Sequence, residues 1–151
     1  MNTFEIVKFL HILTAIIAVG FNASYGILLA RAAREPEHQL HVVRTVKVMD
    51  DRFANPGYAV LLATGIWMIL ISPYRVGELW IVIALVLYGL ALLGGALGYT
   101  PTLRREVALL ESDAGGSDEF RKLAKRGQTI GILLAIDVIA IVFLMVTKPT
   151  L

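Results

Sequence analysis

The stretch ELWIVIALVLYGLALLGGALGYT, residues 78–100, decides the fold class of this chain. After Glu78 it contains no charged residue, and leucine, isoleucine, valine and alanine fill most of its positions. A helix that crosses the roughly 30 Å hydrocarbon core of a bilayer needs about 20 predominantly apolar residues. This stretch is therefore predicted to be a transmembrane helix.

Three further stretches have the same character, at 5–30, 56–72 and 127–147. The chain is 57% hydrophobic and 17% charged, whereas a soluble domain carries about 25% charged residues. We predict an all-α membrane protein in which residues 1–151 form one bundle of four transmembrane helices. The first apolar run exceeds the 7–15 residues of a signal peptide, so we expect a retained helix. The absence of cysteine excludes disulfides and thiolate metal sites.

The positive charges predict the orientation of the bundle. Of the 14 lysines and arginines, all but Lys8, Arg75 and Lys148 lie in the segments 31–55 and 101–126. By the positive-inside rule, both termini and the short turn at 72–77 are outside, and the two long segments are cytoplasmic. The net charge of +2 then reflects loops near anionic lipid. The predicted partner is the lipid bilayer, and we expect no binding to nucleic acid.

The two cytoplasmic segments also carry helical signals. Val42, Val46, Met49 and Phe53 recur at helical spacing, which predicts an amphipathic helix lying at the membrane interface. A solvated connector is the alternative. Asn55 and Pro56 suit the cap and the first position of the second span. In the other segment, Pro101 can start a short helix ending near Ser112, and Ser117 can cap a helix that runs into the fourth span.

Polar residues indicate which helix faces point inward, because polar groups in a bilayer face protein or a wet cavity. In the first span they form one stripe with small residues: His11, Thr14, Ala18, Asn22 and Tyr25. In the third span the matching stripe includes Trp80 and Tyr88, and in the second Thr64 with Trp67 or Met68.

Small residues gather toward the cytoplasmic ends of the spans, including Gly20, Gly26, Gly95, Gly98 and Gly127. Such residues allow helices to approach closely. The other half is bulkier. We therefore expect a bundle that is narrow on the cytoplasmic side and open on the outer side, where His11 lies.

Asp137 is the only acidic residue deep within a span. Its depth matches that of Tyr88, which predicts a hydrogen bond to Tyr88 or to a water. A functional role and a structural role both remain open. The face that carries Asp137 differs from the face that carries Gly127, Gly131 and Ala135, so one of the two faces could contact a second copy in a homodimer.

The stretch KFLHILTAIIAVG, residues 8–20, with Lys8, Leu10, His11 and Gly20, resembles the first helix of a family of small bacterial four-helix membrane proteins with no assigned function. Residues 78–89 resemble the third helix of that family. More distantly, the chain is similar to the copper-resistance D membrane proteins and to the four-helix protoporphyrinogen oxidase. These resemblances imply a multi-pass protein of the bacterial inner membrane. The oxidase binds haem b through its first-helix histidine, which corresponds to His11.

The chain departs from both distant relatives. The oxidase has an important lysine in its third helix, and residues 78–100 contain none. This argues against protoporphyrinogen oxidation. The copper family suggests methionine and histidine clusters, whereas this chain has only Met49, Met68 and Met145 besides Met1.

Three functions remain open, and the sequence leaves undecided whether the protein is an enzyme. The first is a haem-b protein with a redox or porphyrin-related role and an unidentified electron partner. His11 would be its axial ligand, Met68 or Met145 a candidate second ligand, and Trp80 a cofactor contact. The second is a small metal or solute transporter that uses His11 and Asp137. The third is a non-catalytic subunit in which His11 bonds across helices.

Overall fold

The computed structural model describes residues 2–72 and 75–149, and every regular element within them is helical. Four continuous helical rods are long and apolar enough to cross a membrane. They confirm the predicted all-α fold with four transmembrane helices. In chain order the α-helices are α1 Thr3–Ala32, α2 Pro36–Met49, α3 Asn55–Ile71, α4 Leu79–Leu93, α5 Thr100–Glu111 and α6 Asp118–Thr147.

The second and third rods are each built from two α-helices joined by a π-helical segment. The segment Asp50–Ala54 joins α2 to α3, and the segment Gly94–Tyr99 joins α4 to α5. These two jointed rods, as we call them, contain 36 and 33 residues. At 1.5 Å per residue both are much longer than the roughly 30 Å hydrocarbon core, so each extends beyond it.

The backbone hydrogen bonds explain why both rods widen at these places. The N–H of Asn55 donates to the carbonyl of Asp50, and the N–H of Thr100 donates to the carbonyl of Gly95. A proline follows each donor residue in the sequence. Proline has no N–H, and inside a helix its ring clashes with the carbonyl four residues earlier. A π turn, with its five-residue spacing, accommodates the ring without ending the rod.

The α-helical segments α3 and α5 begin at Asn55 and Thr100, close to the predicted starts at Asn55 and Pro101, and α5 ends at Glu111, next to the predicted Ser112. The predicted Asn55 cap is wrong, because both starts lie within continuous rods and not at free helix ends. The backbone of Ala54 is already helical, and the Asn55 side chain caps no N–H group of α3. The predicted start at Ser117 is confirmed. Its hydroxyl accepts a hydrogen bond from the N–H of Phe120 at 3.1 Å, and α6 begins at the next residue, Asp118.

The main cluster of buried apolar residues lies where α2 and α5 pack together. Its members are Tyr25, Val43, Val46, Tyr99, Leu103 and Val107. We call this part of the molecule, residues 33–54 and 100–126, the basic end. The predicted helix over 37–53 exists, but it packs Val43 and Val46 against protein. Its position at a membrane interface stays a prediction.

The opposite end, which we call the terminal end, contains Asn2, residues 75–78 and Pro149. Side-chain contacts show that α1 and α3 run antiparallel. Ala18 lies beside Gly57, and His11 contacts Thr64 further toward the terminal end. The Lys148 ammonium lies 5.6 Å from the centre of the Trp80 ring, which joins the last turn of α6 to the first turn of α4. Residues 73 and 74 of the predicted 72–77 turn lie outside the described residues.

Candidate functional site

A cavity of about 1440 Å³ begins at the basic end and extends between α1, α6 and the two jointed rods into the spans, as far as Tyr88 and Val138. Small and apolar residues form most of its wall, including Ala23, Gly26, Ala91, Gly95 and Gly131. A side chain added at Gly26 or Gly95 would meet nothing within 4 Å. These glycines therefore leave space between the helices.

This position overturns the prediction of a bundle that is narrow at its glycine-rich half. The predicted packing glycines on the α6 side do bring helices together, because Gly98 lies against Ile130, and Gly127 lies against Glu106 and Thr102. The others on the α1 side do not. The spacing of small residues shows that helices can approach there, but whether a neighbouring helix occupies the space depends on the whole bundle.

A set of polar side chains faces this apolar space. It includes four tyrosines, two carboxyls and two amides: Tyr25, Tyr58, Tyr88 and Tyr99, Asp50 and Glu106, and Asn22 and Asn55. Three of the predicted buried polar residues, Asn22, Tyr25 and Tyr88, are therefore brought together in one wall. The fourth, Asp137, is not in the lining.

Asp50 ties the two π segments together. Its Oδ2 accepts a hydrogen bond from the Thr100 hydroxyl at 2.9 Å and another from the Asn55 amide at 3.3 Å. Asp50 and Thr100 are both buried. The carboxyl is thus supplied with donors by the fold itself, which offsets much of the cost of removing it from water.

Glu106 has no such partners. It is only 5% exposed, yet within residues 2–72 and 75–149 its carboxyl has no hydrogen bond and no ion pair. Its Oε1 lies against Gly127 of α6, where an added Cβ would come to 2.9 Å. Glycine at 127 therefore makes room for a carboxyl at the interface between α5 and α6.

Tyr25 also has an unpaired polar atom, which lies beneath the wall of the cavity. The residue is 3% exposed, and its hydroxyl has no hydrogen-bond partner among the described residues. Its ring stacks on that of Tyr99, with centroids 6.3 Å apart and planes 7° from parallel. A buried hydroxyl is normally hydrogen-bonded, and this one is enclosed by neighbouring protein atoms, although other atoms of Tyr25 line the cavity.

The predicted pairing of Asp137 with Tyr88 is wrong. The Tyr88 hydroxyl donates to the backbone carbonyl of Tyr58, and the Asn22 amide donates to the hydroxyl of that same Tyr58. Asp137 Oδ2 is buried without a hydrogen-bond partner in the described part of the chain. Matching depth on two helices did not suffice, because the two residues lie on faces that do not meet.

His11 lies in the other half of the molecule and does not line the cavity. Its Nδ1 is 2.8 Å from the Thr64 hydroxyl oxygen, which is itself 2.7 Å from the carbonyl oxygen of Val60. The Thr64 hydroxyl oxygen and the Val60 carbonyl oxygen are close enough to be hydrogen-bonded, and only the hydroxyl carries a proton. Thr64 therefore donates to Val60. The Thr64 oxygen then accepts a hydrogen bond from the Nδ1–H of His11. The hydrogen-bond network thus assigns the proton to Nδ1 and leaves a lone pair on Nε2.

The other predicted cofactor contacts do not line the cavity either. Neither Met68 nor Met145 is in its lining, and Met145 is 40% exposed. Trp80 is buried at the terminal end, where its Nε1 donates to Glu78 at 2.7 Å. Among the described residues no three histidine, aspartate or glutamate side chains form a metal-binding group.

Sequence reasoning missed Asp50, Tyr99 and Glu106. Asp50 and Glu106 lie in segments that are rich in charge and were expected to face the cytoplasm, where a carboxylate is ordinarily solvated. One signal was present. Tyr99, Leu103, Glu106 and Leu110 recur at spacings of four, three and four, which places Glu106 on an otherwise apolar stripe.

The family of the chain follows from a match that covers almost its whole length. The model of the family described as predicted integral membrane protein, DUF2269, matches residues 5–149. The chain belongs to this family. No curated protein and no solved structure matches it. The match agrees with the four membrane-spanning helices, and the family description names no ligand or reaction.

Proposed function

We propose that this integral membrane protein binds an amphipathic organic solute in the cavity at its basic end, as a carrier or a receptor of that solute does. One observation carries the proposal. The cavity of about 1440 Å³ combines an apolar wall with convergent polar groups, one of which is the Glu106 carboxyl, which has no partner among the described residues. Sites for small molecules have this composition and typically measure about 300–1,000 Å³.

The composition of the wall selects the kind of solute. A bare ion would need a closed shell of polar ligands, whereas most of this wall is aliphatic, as at Val19, Leu29, Leu92 and Val138. An apolar body gains from contact with these residues, at roughly 25 cal/mol per Å² buried. The polar groups would then orient the solute.

A neutral fluorescent probe, N-phenyl-1-naphthylamine, tests the proposal on protein reconstituted in lipid nanodiscs. Gly26 and Gly20 form a matched pair, because both lie in α1 and neither has an atom within 4 Å of an added Cβ. Only Gly26 lines the cavity. We expect saturable binding that Gly26→Leu weakens at least about tenfold, the effect of roughly 1.4 kcal/mol, and that Gly20→Leu leaves unchanged. Equal binding by wild type and both variants would show that the probe resides in lipid and would contradict the proposal.

Haem b binding at His11 is a second candidate, and the protonation of His11 favours it. A lone pair on Nε2 with Nδ1–H held by Thr64 is the arrangement in which histidine binds iron. When bound, a haem would supply one-electron transfer. His11 would hold it, with Met68, Met145 or a residue of a second copy on the other side. The large cavity lies elsewhere, so a haem would occupy the α1 and α3 surface at the terminal end.

The visible absorption spectrum of the purified protein and a titration with hemin separate the two candidate functions. Haem binding predicts a Soret band that His11→Ala abolishes while binding of the neutral probe persists. Thr64→Val should weaken the band, and Thr64→Ser should retain it, since serine keeps the acceptor of Nδ1–H. A colourless protein that takes up no added hemin would make His11 a histidine that only packs α1 against α3.

A further inference from the structure

We infer that the solute is an organic cation whose positive group is bound by the Glu106 carboxylate. The inference rests on the proposed function of the cavity and adds the chemical class of its ligand. It starts from an imbalance of charge. Glu106 is buried, lines the cavity and has no counter-ion in the part of the chain that the structure describes.

The basic side chains next to Glu106 are directed to other acids. Arg105, its neighbour in sequence, pairs with Glu119 at 2.6 Å. The Nη2 atom of Arg104 is 3.8 Å from Oδ1 of Asp51. A buried carboxylate without a partner is costly, and the protein has cations within one turn that could have relieved the cost. Their pairing elsewhere leaves Glu106 available to a cation that enters the cavity.

The cationic residues in the lining do not neutralise Glu106 either. Arg121 and Lys125 are exposed, and Arg121 forms its ion pair with Asp118. Neither brings a nitrogen within 4 Å of the Glu106 carboxyl, although both belong to the lining. They are accompanied there by two exposed acids, Glu37 and Asp113, so the exposed lining charges balance.

Asp50 differs from Glu106 although it lines the same cavity. Two donors, the Thr100 hydroxyl and the Asn55 amide, already bond its Oδ2. These donors already stabilise the charge of the Asp50 carboxylate, whereas no described residue stabilises that of Glu106 in the same way. The positive group of the solute is therefore assigned to Glu106.

Aromatic rings next to the carboxyl complete the site. Tyr99 lies seven residues before Glu106 on the same face of the rod, and its ring is stacked with that of Tyr25. Two turns of helix correspond to about 10 Å, the length of a multi-ring organic molecule. Aromatic faces attract cations and aromatic bodies alike. A cation with an aromatic body would contact Glu106 at one end and the stacked tyrosines at the other.

The probe is 1-naphthylmethylammonium, a cation at neutral pH whose ammonium group lies at one end of an aromatic body. Its dissociation constant is measured by calorimetry on nanodisc-embedded protein, in parallel with that of N-phenyl-1-naphthylamine. We expect Glu106→Gln to weaken binding of the cation about thirtyfold or more, as truncation of one partner of a buried charge pair does. Binding of the neutral probe should stay within about twofold, which also shows that the variant is folded.

Two control variants locate the effect. Glu35→Gln removes the same charge from the exposed surface of the basic end, outside the lining of the cavity, and should leave binding of both probes unchanged. Gly127→Ala should weaken binding of the cation alone, because the added Cβ would displace the Glu106 carboxyl.

The outcomes distinguish this inference from the function on which it rests. Cation affinity unchanged in Glu106→Gln, or lost only in Asp50→Asn, would overturn the assignment to Glu106 while the neutral probe still reports an occupied cavity. Absence of saturable binding for both probes in the wild type would instead overturn the function itself.

Discussion

Asp50 and Glu106 are two buried carboxyls in one cavity, and the fold supplies only one of them with donors. Asp50 receives hydrogen bonds from Thr100 and Asn55, whereas Glu106 faces glycine and open space. Removing a buried polar group costs most when it leaves a bonded partner stranded. The two residues should therefore respond to the same substitution in opposite directions.

We expect Glu106→Leu to leave the free energy of unfolding unchanged or to raise it, by up to about 1–3 kcal/mol, since it replaces an unpaired buried carboxyl with an apolar side chain. Asp50→Leu should lower the free energy of unfolding by a similar amount, because it strands the Thr100 hydroxyl and the Asn55 amide. Both are compared with wild type by denaturant unfolding in one detergent. A loss in Glu106→Leu as large as that in Asp50→Leu would mean that Glu106 has a structural partner and is not reserved for a ligand.

At the scale of the element, the two jointed rods follow one design. Each has a π segment, then a polar residue, then a proline, and the polar residues Asn55 and Thr100 both bond Asp50. The proline explains the wider turn. Asn55 bonds Asp50 within its own rod, whereas Thr100 bonds Asp50 across to the other rod. The two rods are thereby joined at the same depth, next to the cavity.

This design limits what could be predicted from the sequence. The four long apolar helices were predicted correctly because apolar runs of about 20 residues have few alternatives to a membrane helix. The starts of α3 and α5 were also predicted, but the continuation of each rod through a π segment was not, because proline suits both a first turn and a π turn, and local sequence does not separate the two. The role of Glu106 could not be predicted, since a carboxylate in a charged segment is usually solvated. Its burial depends on α6, whose Gly127 lies 21 residues further along the chain.

The bond between Asp50 and Thr100 should contribute measurably to stability. Thr100→Val preserves the shape of the side chain and removes the donor, so we expect a loss of about 1–3 kcal/mol in the free energy of unfolding. Thr102→Val is the matched control, because the buried Thr102 hydroxyl bonds only the carbonyl of Gly98 in its own rod. It should cost clearly less. Equal losses in both variants would show that the link between the rods contributes nothing beyond an ordinary side-chain bond.

At the scale of the whole molecule, apolar side chains cover the outside and polar groups turn to the cavity. Residues that face away from the bundle remain largely exposed, such as Ile16 at 65%, Leu70 at 76% and Val146 at 77%. This is the surface that a bilayer covers, in accord with the family description. The cavity lies at the basic end, so the side of the membrane on which that end lies determines which compartment the solute is drawn from.

The positive-inside rule predicts that the basic end, and hence the cavity, faces the cytoplasm. The chain has no cysteine, so single cysteines report this directly. Gly116 suits the basic end, because it is exposed and an added Cβ there meets nothing within 4 Å, whereas the adjacent Ser117 caps α6. Val76, 58% exposed, suits the terminal end.

We expect a membrane-impermeant maleimide to label Val76→Cys in intact cells or right-side-out vesicles, and to label Gly116→Cys only after the membrane is opened. The charges that drive this orientation are the eleven lysines and arginines of 31–55 and 101–126, against three elsewhere. Labelling of Gly116→Cys from outside would invert the bundle. Because the cavity lies beside Gly116, it would also move the binding site to the outer face, and a carrier or receptor would then have to take its solute from outside the cell.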